Sequence, residues 1–202
     1  MSPALCILRR LQIPLVVVLA ALLLSGCGIN TIPSSEENAK AKWSDVQNQY
    51  QRRADLIPNL VETVKGYATQ EREVLTQVTE ARAKASQVKV DASTVTDPAK
   101  FKEYQDAQNA LTGALGRLLV TVERYPDLKS NQNFLALQSQ LEGTENRISI
   151  ARRDYIEGVR AYNTELKTFP GLIWASTLYR NYKPMETFTV AEDVSRPPTV
   201  KF

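Results

Sequence analysis

Residues 43–64 read WSDVQNQYQRRADLIPNLVETV, and the spacing of their apolar side chains predicts a long amphipathic helix. Two rows of apolar side chains recur every seven residues as far as residue 88, and only Glu71 and Arg53 interrupt them. The rows are Trp43, Tyr50, Ile57, Val64, Val78 and Ala85, and Val46, Leu60, Tyr67, Val74, Ala81 and Val88. Residues seven apart share a helix face, so we predict one helix of about 50 residues. It begins at Ser34 and Ser35 and has a kink or restart at Pro58.

Two further long helices are predicted downstream. Asp97 and Pro98 supply an N-terminal cap and a proline at the first helical position, and Pro126 ends the apolar run that follows. A third run of apolar residues at helical spacing extends from Phe134 to Phe169, where the sequence Pro-Gly follows. Residues 172–182 predict a short fourth helix, and residues 188–202 an extended segment.

These stripes determine the predicted fold class. Three apolar helix faces must be covered, and short turns place successive helices antiparallel to each other. We therefore predict an all-α protein. It is an antiparallel up-and-down helical bundle of three long helices plus a short fourth, spanning residues 36–182, with an extended C-terminal tail over residues 183–202.

The N-terminal segment has the pattern of an export signal. Arg9 and Arg10 precede the apolar residues 11–24, and the run ends in LSGC at residues 24–27, which resembles a bacterial lipobox. We predict a lipoprotein signal peptide over residues 1–26 and a lipidated Cys27 that begins a tether, residues 27–35. The alternative is an uncleaved single-pass helix, although the apolar run is shorter than the roughly 20 residues that span a bilayer.

Both interpretations predict a membrane protein whose helical domain lies outside the cytoplasm. Gly28 follows the cysteine, so the aspartate that retains enteric lipoproteins in the inner membrane is absent. The choice between inner and outer membrane stays open, because this sorting rule varies between bacteria.

Composition excludes several kinds of chemistry. The chain has no histidine, so histidine-dependent catalysis and histidine metal ligands are excluded. Its two cysteines are Cys6 and Cys27, which leaves no disulfide framework for the helical domain. Lys plus Arg number 25 against 22 for Asp plus Glu, so no strongly basic surface for nucleic acid is expected. We predict a protein without enzymatic activity or cofactor.

Two charged patterns admit a functional as well as a structural interpretation. Glu142 and Glu145, three residues apart on the third predicted helix, could join Glu62 or Glu123 around a cation, but a solvated helix face is the simpler interpretation. The pairs Arg52-Arg53 and Arg152-Arg153 could bind lipid phosphates or an acidic partner. Asp55 and Asp154 follow them closely, which favours local ion pairs.

Several segments resemble the LemA family of bacterial membrane proteins. The matching segments are QRRADLIPNLVE at residues 51–62, YPDLK at 125–129 with NQNF at 131–134, LEGTENRI at 141–148 with ARR at 151–153, and Phe169-Pro170. Together they extend over about residues 30–180. The resemblance implies an antiparallel helical bundle on an N-terminal membrane anchor, without a known enzymatic activity.

The predicted function is a membrane-anchored, non-catalytic scaffold or adaptor of the bacterial envelope, bound to the membrane by lipid on Cys27 and to unidentified envelope or membrane proteins. The alternative is an envelope chaperone that binds a small ligand or a lipid. If the second predicted helix returns antiparallel to the first, the turn after Tyr125 lies level with roughly residue 60. The predicted partner patch then joins Arg52, Asp55 and Asn59 to Asp127, Lys129, Asn131 and Asn133.

Overall fold

The computed structural model describes residues 28–91 and 93–189, and all regular secondary structure in that part of the chain is helical. Its helices are α1 Thr31–Tyr67, α2 Arg72–Gln87, α3 Pro98–Val122, α4 Pro126–Lys129, α5 Gln132–Lys167 and α6 Gly171–Thr177. The all-α prediction is confirmed. The predicted signal peptide, Cys27 and the end of the predicted tail lie outside the described residues.

The predicted first helix of about 50 residues is wrong in one respect, because it consists of two helices. α1 ends at Tyr67, and α2 begins at Arg72 and runs back along α1. The reversal occurs where Glu71 interrupts the apolar rows, and Glu71 is the N-cap residue of α2. Folding back buries the second part of the stripe, including Leu75, Val78 and Ala85, against α3 and the distal part of α1.

Pro58 does not end or restart α1. A proline at this position cannot donate to the carbonyl of Ala54, four residues earlier. Arg82 of α2 fills that role, because its Nε donates to the Ala54 oxygen at 2.8 Å. The ring of Pro58 is exposed, so it displaces no neighbouring helix. A side chain from the adjacent helix therefore compensates for the missing backbone bond.

The long helices alternate in direction. α1 and α5 pack antiparallel along their lengths, since Tyr67 near the end of α1 meets Asn131 before α5, and Arg53 meets Glu145. α3 runs parallel to α1, because Trp43 contacts Phe101 while Arg53 contacts Thr112. The expectation that α3 returns antiparallel to the first helix is therefore wrong, and the physical reason is the additional reversal into α2.

We call the end of the bundle that carries Thr31 and α6 the proximal end, and the end with the α1–α2 and α3–α5 turns the distal end. α1 begins at Thr31, so the predicted start at Ser34 and Ser35 is wrong, and the predicted tether of residues 27–35 is already helical from Thr31. The predicted cap of α3 is confirmed, because the Asp97 carboxylate accepts from the amides of Ala99 and Lys100.

The chain after α6 packs against the proximal half of the bundle. Residues 183–189 are non-helical, as predicted, but they are part of the core. Met185 and Phe188 are buried, and the amide of Glu186 donates to the carbonyl of Val95 at 2.7 Å. The predicted fourth helix is shorter than expected, Gly171–Thr177.

Candidate functional site

Arg53 is the most deeply buried charged side chain in the described part of the molecule. Only 1% of its surface is exposed. Its Nη1 donates to Thr112 Oγ1 and to Glu145 Oε1, both at 2.8 Å. Its Nη2 donates to the side-chain oxygen of Gln108 at 2.7 Å and to the backbone oxygen of the same residue at 3.3 Å.

This arginine connects α1, α3 and α5 at the middle of the bundle. An isolated buried charge would be costly, and here hydrogen bonds and the partly exposed Glu145 offset that cost. The guanidinium also lies 5.0 Å from the centre of the Tyr50 ring, within the range of a cation–π contact. Its Nε is buried and has no hydrogen-bond partner among the described residues. The guanidinium and its hydrogen bonds therefore fix the register of α1, α3 and α5 relative to one another.

An aromatic cluster fills the core on the proximal side of Arg53. Neighbouring rings lie 5.0 to 6.3 Å apart between centroids, and the cluster comprises Trp43, Tyr50, Phe101, Tyr104, Tyr155 and Phe188. Burial raises the pKa of Tyr104 above its ordinary value. Burial also raises the pKa of Tyr50, and the nearby Arg152 and Arg53 partly offset this effect. These phenols stay neutral at physiological pH.

One small cavity adjoins the polar layer around Arg53. Its volume is about 130 Å³, and Tyr50, Tyr104, Gln108 and Leu111 are among its lining residues. Pockets for small molecules typically measure roughly 300–1,000 Å³. It opens to the surface and has room for a few water molecules only.

The distal end carries a polar network between its two turns. The hydroxyl of Tyr125 donates to Glu71 Oε1 at 2.8 Å, and Arg124 donates to the same oxygen at 3.0 Å. This contact with Glu71 raises the pKa of Tyr125. Asn131 Nδ2 donates to the hydroxyl of Tyr67 at 2.8 Å. The α1–α2 and α3–α5 turns are therefore joined by side-chain hydrogen bonds.

A surface groove lies between α1 and α2 near the same end, and we call it the distal groove. Its volume is about 540 Å³. Its lining includes the apolar Val61 and Leu75, the threonines Thr69, Thr76 and Thr79, and the charged Glu62, Lys65, Arg72 and Glu80. The groove is large enough for a small ligand or for side chains of a partner protein.

The LemA family model matches residues 42–202. The chain belongs to the LemA family. "Magnetosome protein MamQ 2" of Paramagnetospirillum magneticum is 26% identical over 157 residues, which covers 70% of this chain and 58% of that protein. "Protein LemA" of Metamycoplasma hominis is 28% identical over 140 residues, which covers 69% of this chain and 60% of that protein. The chain thus matches less than two thirds of the length of these curated relatives.

The LemA-family signature at residues 51–62 contains the buried Arg53, whereas the residues that we predicted as a partner patch lie on its other faces. Arg52, Asp55 and Asn59 are exposed. Asp55 accepts a hydrogen bond from Gln51 at 2.7 Å. These residues line the outside of α1, so the same signature serves both the core and the surface.

The second signature, at residues 125–134, lies at the distal end instead of level with residue 60. Asp127, Lys129 and Asn133 are exposed, and Lys129 pairs with Glu123. Asn131 contacts Tyr67, which lies about 12 Å beyond Asn59 along a regular helix. Among the described hydrogen bonds and ion pairs, none joins Arg52, Asp55 or Asn59 to the turn. Partner binding by this patch stays a prediction.

Other charged groups of the LemA-family chain also have defined contacts. Arg153 pairs with Asp154 at 3.3 Å, the local ion pair that we predicted. Arg53 pairs across helices with Glu145 instead of locally with Asp55, so that part of the prediction is wrong. Arg152 lies 4.4 Å from the centre of the Phe188 ring. The described residues contain no cluster of three or more carboxylate, cysteine or histidine side chains suited to a metal ion.

The role of Arg53 was not predicted from the sequence, although one signal was present. Arg53 and Glu71 are the two residues that interrupt the apolar rows of the first predicted helix. One is the buried cross-helix arginine, and the other precedes α2 at the reversal and bonds to Tyr125. A polar residue in a core row marked an important position in both cases.

Proposed function

We propose that the chain is a membrane-anchored, non-catalytic scaffold or adaptor of the bacterial envelope. Membership of the LemA family and the similarity to MamQ support a membrane-associated protein. Neither the family nor the names of these relatives indicate an enzymatic activity. One observation carries the scaffold proposal. The helices are joined by Arg53 at mid-length, and the cavity beside it holds only about 130 Å³.

Helices that are joined at mid-length, with little room for a ligand beside the joint, favour a rigid body that presents its surface over a body that encloses a ligand. α1 has 37 residues and is therefore about 55 Å long. With attachment near Thr31, the distal turns stand far from the bilayer surface. Exposed turn residues on a rigid support often bind partners. The proposed contacts are the exposed residues of the predicted patch, with Lys129 in the distal turn and Arg52 about 22 Å nearer the proximal end along α1.

The anchoring part of the proposal rests on the lipobox at residues 24–27. In the cells that make this protein, Cys27→Ala should block lipidation and leave a slower-migrating precursor that keeps its signal. Cys6→Ala is the matched control, because Cys6 lies inside the predicted signal and should not affect processing. Maturation of the Cys27→Ala chain to the size of the wild type would contradict a lipid anchor. Residues 28–91 and 93–189 contain no helix that is both long and apolar enough to cross a bilayer.

Partner binding is tested by capture from detergent-solubilised membranes with the full chain as bait. Arg52→Glu combined with Lys129→Glu should reduce the amount of a captured envelope protein by roughly tenfold, because charge reversal acts on both parts of the patch. Lys102→Glu is the control, since Lys102 is an exposed lysine of α3 that pairs with Asp106. The melting temperature of each variant should match that of the wild type. Equal capture by the double variant and the wild type would contradict the proposed contacts.

A ligand-binding chaperone is the second candidate function, and the distal groove is the observation that favours it. The groove measures about 540 Å³ and includes Val61 and Leu75 in its lining. Organic extraction of the purified chain, followed by mass spectrometry, distinguishes the two candidates. The scaffold should carry no stoichiometric small molecule. A stoichiometric lipid that is lost in Thr76→Trp, a substitution that fills the groove, would favour the chaperone.

A further inference from the structure

The proximal end of the bundle carries an exposed apolar patch formed by Phe169, Leu172 and Ile173. Their side chains are 79%, 52% and 48% exposed. Nine large hydrophobic side chains are exposed in the described part of the chain, and four of them lie between residues 169 and 178, the fourth being Leu178. Single exposed hydrophobic residues are common on protein surfaces, but a concentration of them usually marks an interaction surface.

The turn that carries the patch is held firmly against α5. The amide of Leu172 donates to the carbonyl of Thr168 at 2.7 Å, and the amide of Ile173 donates to the carbonyl of Pro170 at 3.1 Å. A Cβ atom on Gly171 would lie 2.1 Å from the carbonyl oxygen of Glu165, so the backbones approach too closely for any other residue. The patch therefore has a fixed direction relative to the bundle.

The patch lies where the chain leads toward its membrane attachment. A Cβ atom built on Gly28 would lie 3.3 Å from Cγ of Pro170, so Gly28 adjoins the turn between Phe169 and Gly171. Cys27 directly precedes Gly28 in the sequence. With the proposed attachment, either lipid on Cys27 or a spanning helix over the preceding apolar residues, the bilayer begins close to this turn.

The charge of the same segment fits a bilayer surface. Residues 164–186 contain three exposed basic side chains, Lys167, Arg180 and Lys183, against two half-buried acidic side chains, Glu165 and Glu186. A basic surface is attracted to anionic headgroups. Partly buried Trp174, Tyr179 and Tyr182 of this segment pack against the core and hold the segment on the bundle.

The acidic residues at the start of α1 do not oppose this attraction strongly. Glu36 and Glu37 both pair with Lys40, at 2.8 and 2.9 Å. These contacts raise the pKa of Lys40, which therefore stays charged. The two carboxylates are thus partly neutralised within their own helix.

We propose that Phe169, Leu172 and Ile173 insert into the lipid surface beside the anchor and hold the bundle in a defined orientation on the membrane. This inference rests on the membrane attachment in the proposed function. The occupant of the patch is the acyl and headgroup boundary of a phospholipid bilayer. Two contacts, the anchor and the patch, restrain tilting more than a single flexible attachment does.

Site-specific photo-crosslinking in cells that express the full chain tests the proposal. Benzoylphenylalanine replaces Leu172 in one variant and Leu135 in the control variant. Leu135 is 47% exposed and lies at the distal end, at the start of α5. After irradiation, mass spectrometry of the labelled peptide should detect phospholipid adducts at position 172 in roughly tenfold excess over position 135. Equal yields at the two positions, or adducts to a protein at position 172, would overturn the proposal.

A second variant tests whether the apolar side chains cause the contact. Phe169→Ser combined with Ile173→Ser should reduce the lipid adducts of the probe at position 172 by about fivefold, with an unchanged melting temperature. An unchanged adduct yield would overturn the proposal. Membrane sedimentation of the same samples tests the lipid-contacting patch and the membrane anchor separately. A chain in the membrane fraction without lipid adducts refutes the patch alone, whereas a chain missing from that fraction refutes the anchor as well.

Discussion

The proximal and distal halves of the core are built from different side chains. Proximal to Arg53, aromatic rings dominate, and α1, α3, α5 and the segment after α6 all contribute to them. Distal to Arg53, the core is largely aliphatic, with Leu111, Leu118 and Leu128 among its most buried residues, and α2 contributes in place of the C-terminal segment. Arg53 lies at the boundary between the two.

The difference shows how each half satisfies its polar atoms. A buried phenol needs a hydrogen-bond partner, and the C-terminal segment supplies it for two of the four buried tyrosines in the described part of the chain. Tyr155 donates to the carbonyl of Glu186 at 2.8 Å, and Tyr162 donates to the carbonyl of Lys183 at 2.9 Å. The aliphatic half has fewer such requirements, and helices that are neighbours in sequence can fill it. The proximal half therefore depends more on contacts between distant parts of the chain.

The largest expected effect is that of Trp43→Ala. Trp43 contacts four other aromatic rings and is 6% exposed, so its removal leaves a large cavity. We expect the free energy of unfolding to fall by about 4 kcal/mol. Leu118→Ala is the distal counterpart, and we expect a loss of about 3 kcal/mol. Urea unfolding of the chain lacking residues 1–27 measures both, and a larger loss for Leu118→Ala would contradict the larger cavity that we expect at Trp43.

Arg53→Ala should have the next largest effect. The substitution removes the bonds to Gln108, Thr112 and Glu145 and leaves their polar groups without this partner. We expect the free energy of unfolding to fall by about 3 kcal/mol, as for other broken interior pairs. Arg52→Ala, at the exposed neighbouring position, should change it by less than about 0.5 kcal/mol. Similar losses of unfolding free energy for the two variants would contradict the role of the buried arginine in connecting α1, α3 and α5.

Local patterns in the sequence predicted most of the helices. Asp97 with Pro98 marked the start of α3, and the row from Trp43 to Ala85 marked side chains that are buried. Helix caps and apolar spacing depend on residues within a few helical turns of one another, and these local interactions are also present in the folded chain. The all-α class follows from them.

Contacts between distant residues could not be predicted in the same way. Heptad spacing continues across Glu71 whether or not the chain reverses there, so the pattern did not distinguish one helix from two. The placement of the turn after Tyr125 depended on that distinction and was wrong. The burial of Phe188 depends on a segment that folds back from beyond α6. Periodicity contains no information about such a partner.

Tyr162→Phe tests the polar requirement of the aromatic half. It removes the hydrogen bond to Lys183, and we expect a loss of about 1 kcal/mol at neutral pH. Burial raises the pKa of Tyr162 from 10.0 to about 12. The unfolded chain therefore loses this proton at lower pH than the folded chain, so this contribution to stability is complete below pH 10.0 and is lost as the pH rises to about 12.

The free energy of unfolding of the wild type should consequently fall more steeply over this pH range than that of the variant. Urea unfolding at several pH values measures the two slopes. Parallel curves would contradict the assignment of the pKa shift to Tyr162.

The smallest expected effect is that of Asn131→Asp, at a residue that has two roles at the distal end. Its Oδ1 accepts from the amide of Phe134 at 3.0 Å and caps α5, and its Nδ2 donates to Tyr67. Asn131→Ala removes both bonds and should cost about 1.5 kcal/mol. Asn131→Asp keeps the cap and removes only the donor, so it should cost about 0.5 kcal/mol.

The same pair of variants separates a structural role of Asn131 from a role in partner binding. If Asn131 only holds the turn, Asn131→Asp should capture an envelope partner as well as the wild type does, because the cap keeps the turn in place. Reduced capture by Asn131→Asp, together with a nearly unchanged free energy of unfolding, would assign its amide to the partner contact. Because the distal turns are joined by few hydrogen bonds around Tyr67 and Glu71, a stability loss as large as that of Arg53→Ala would contradict the smaller role that we assign to this end.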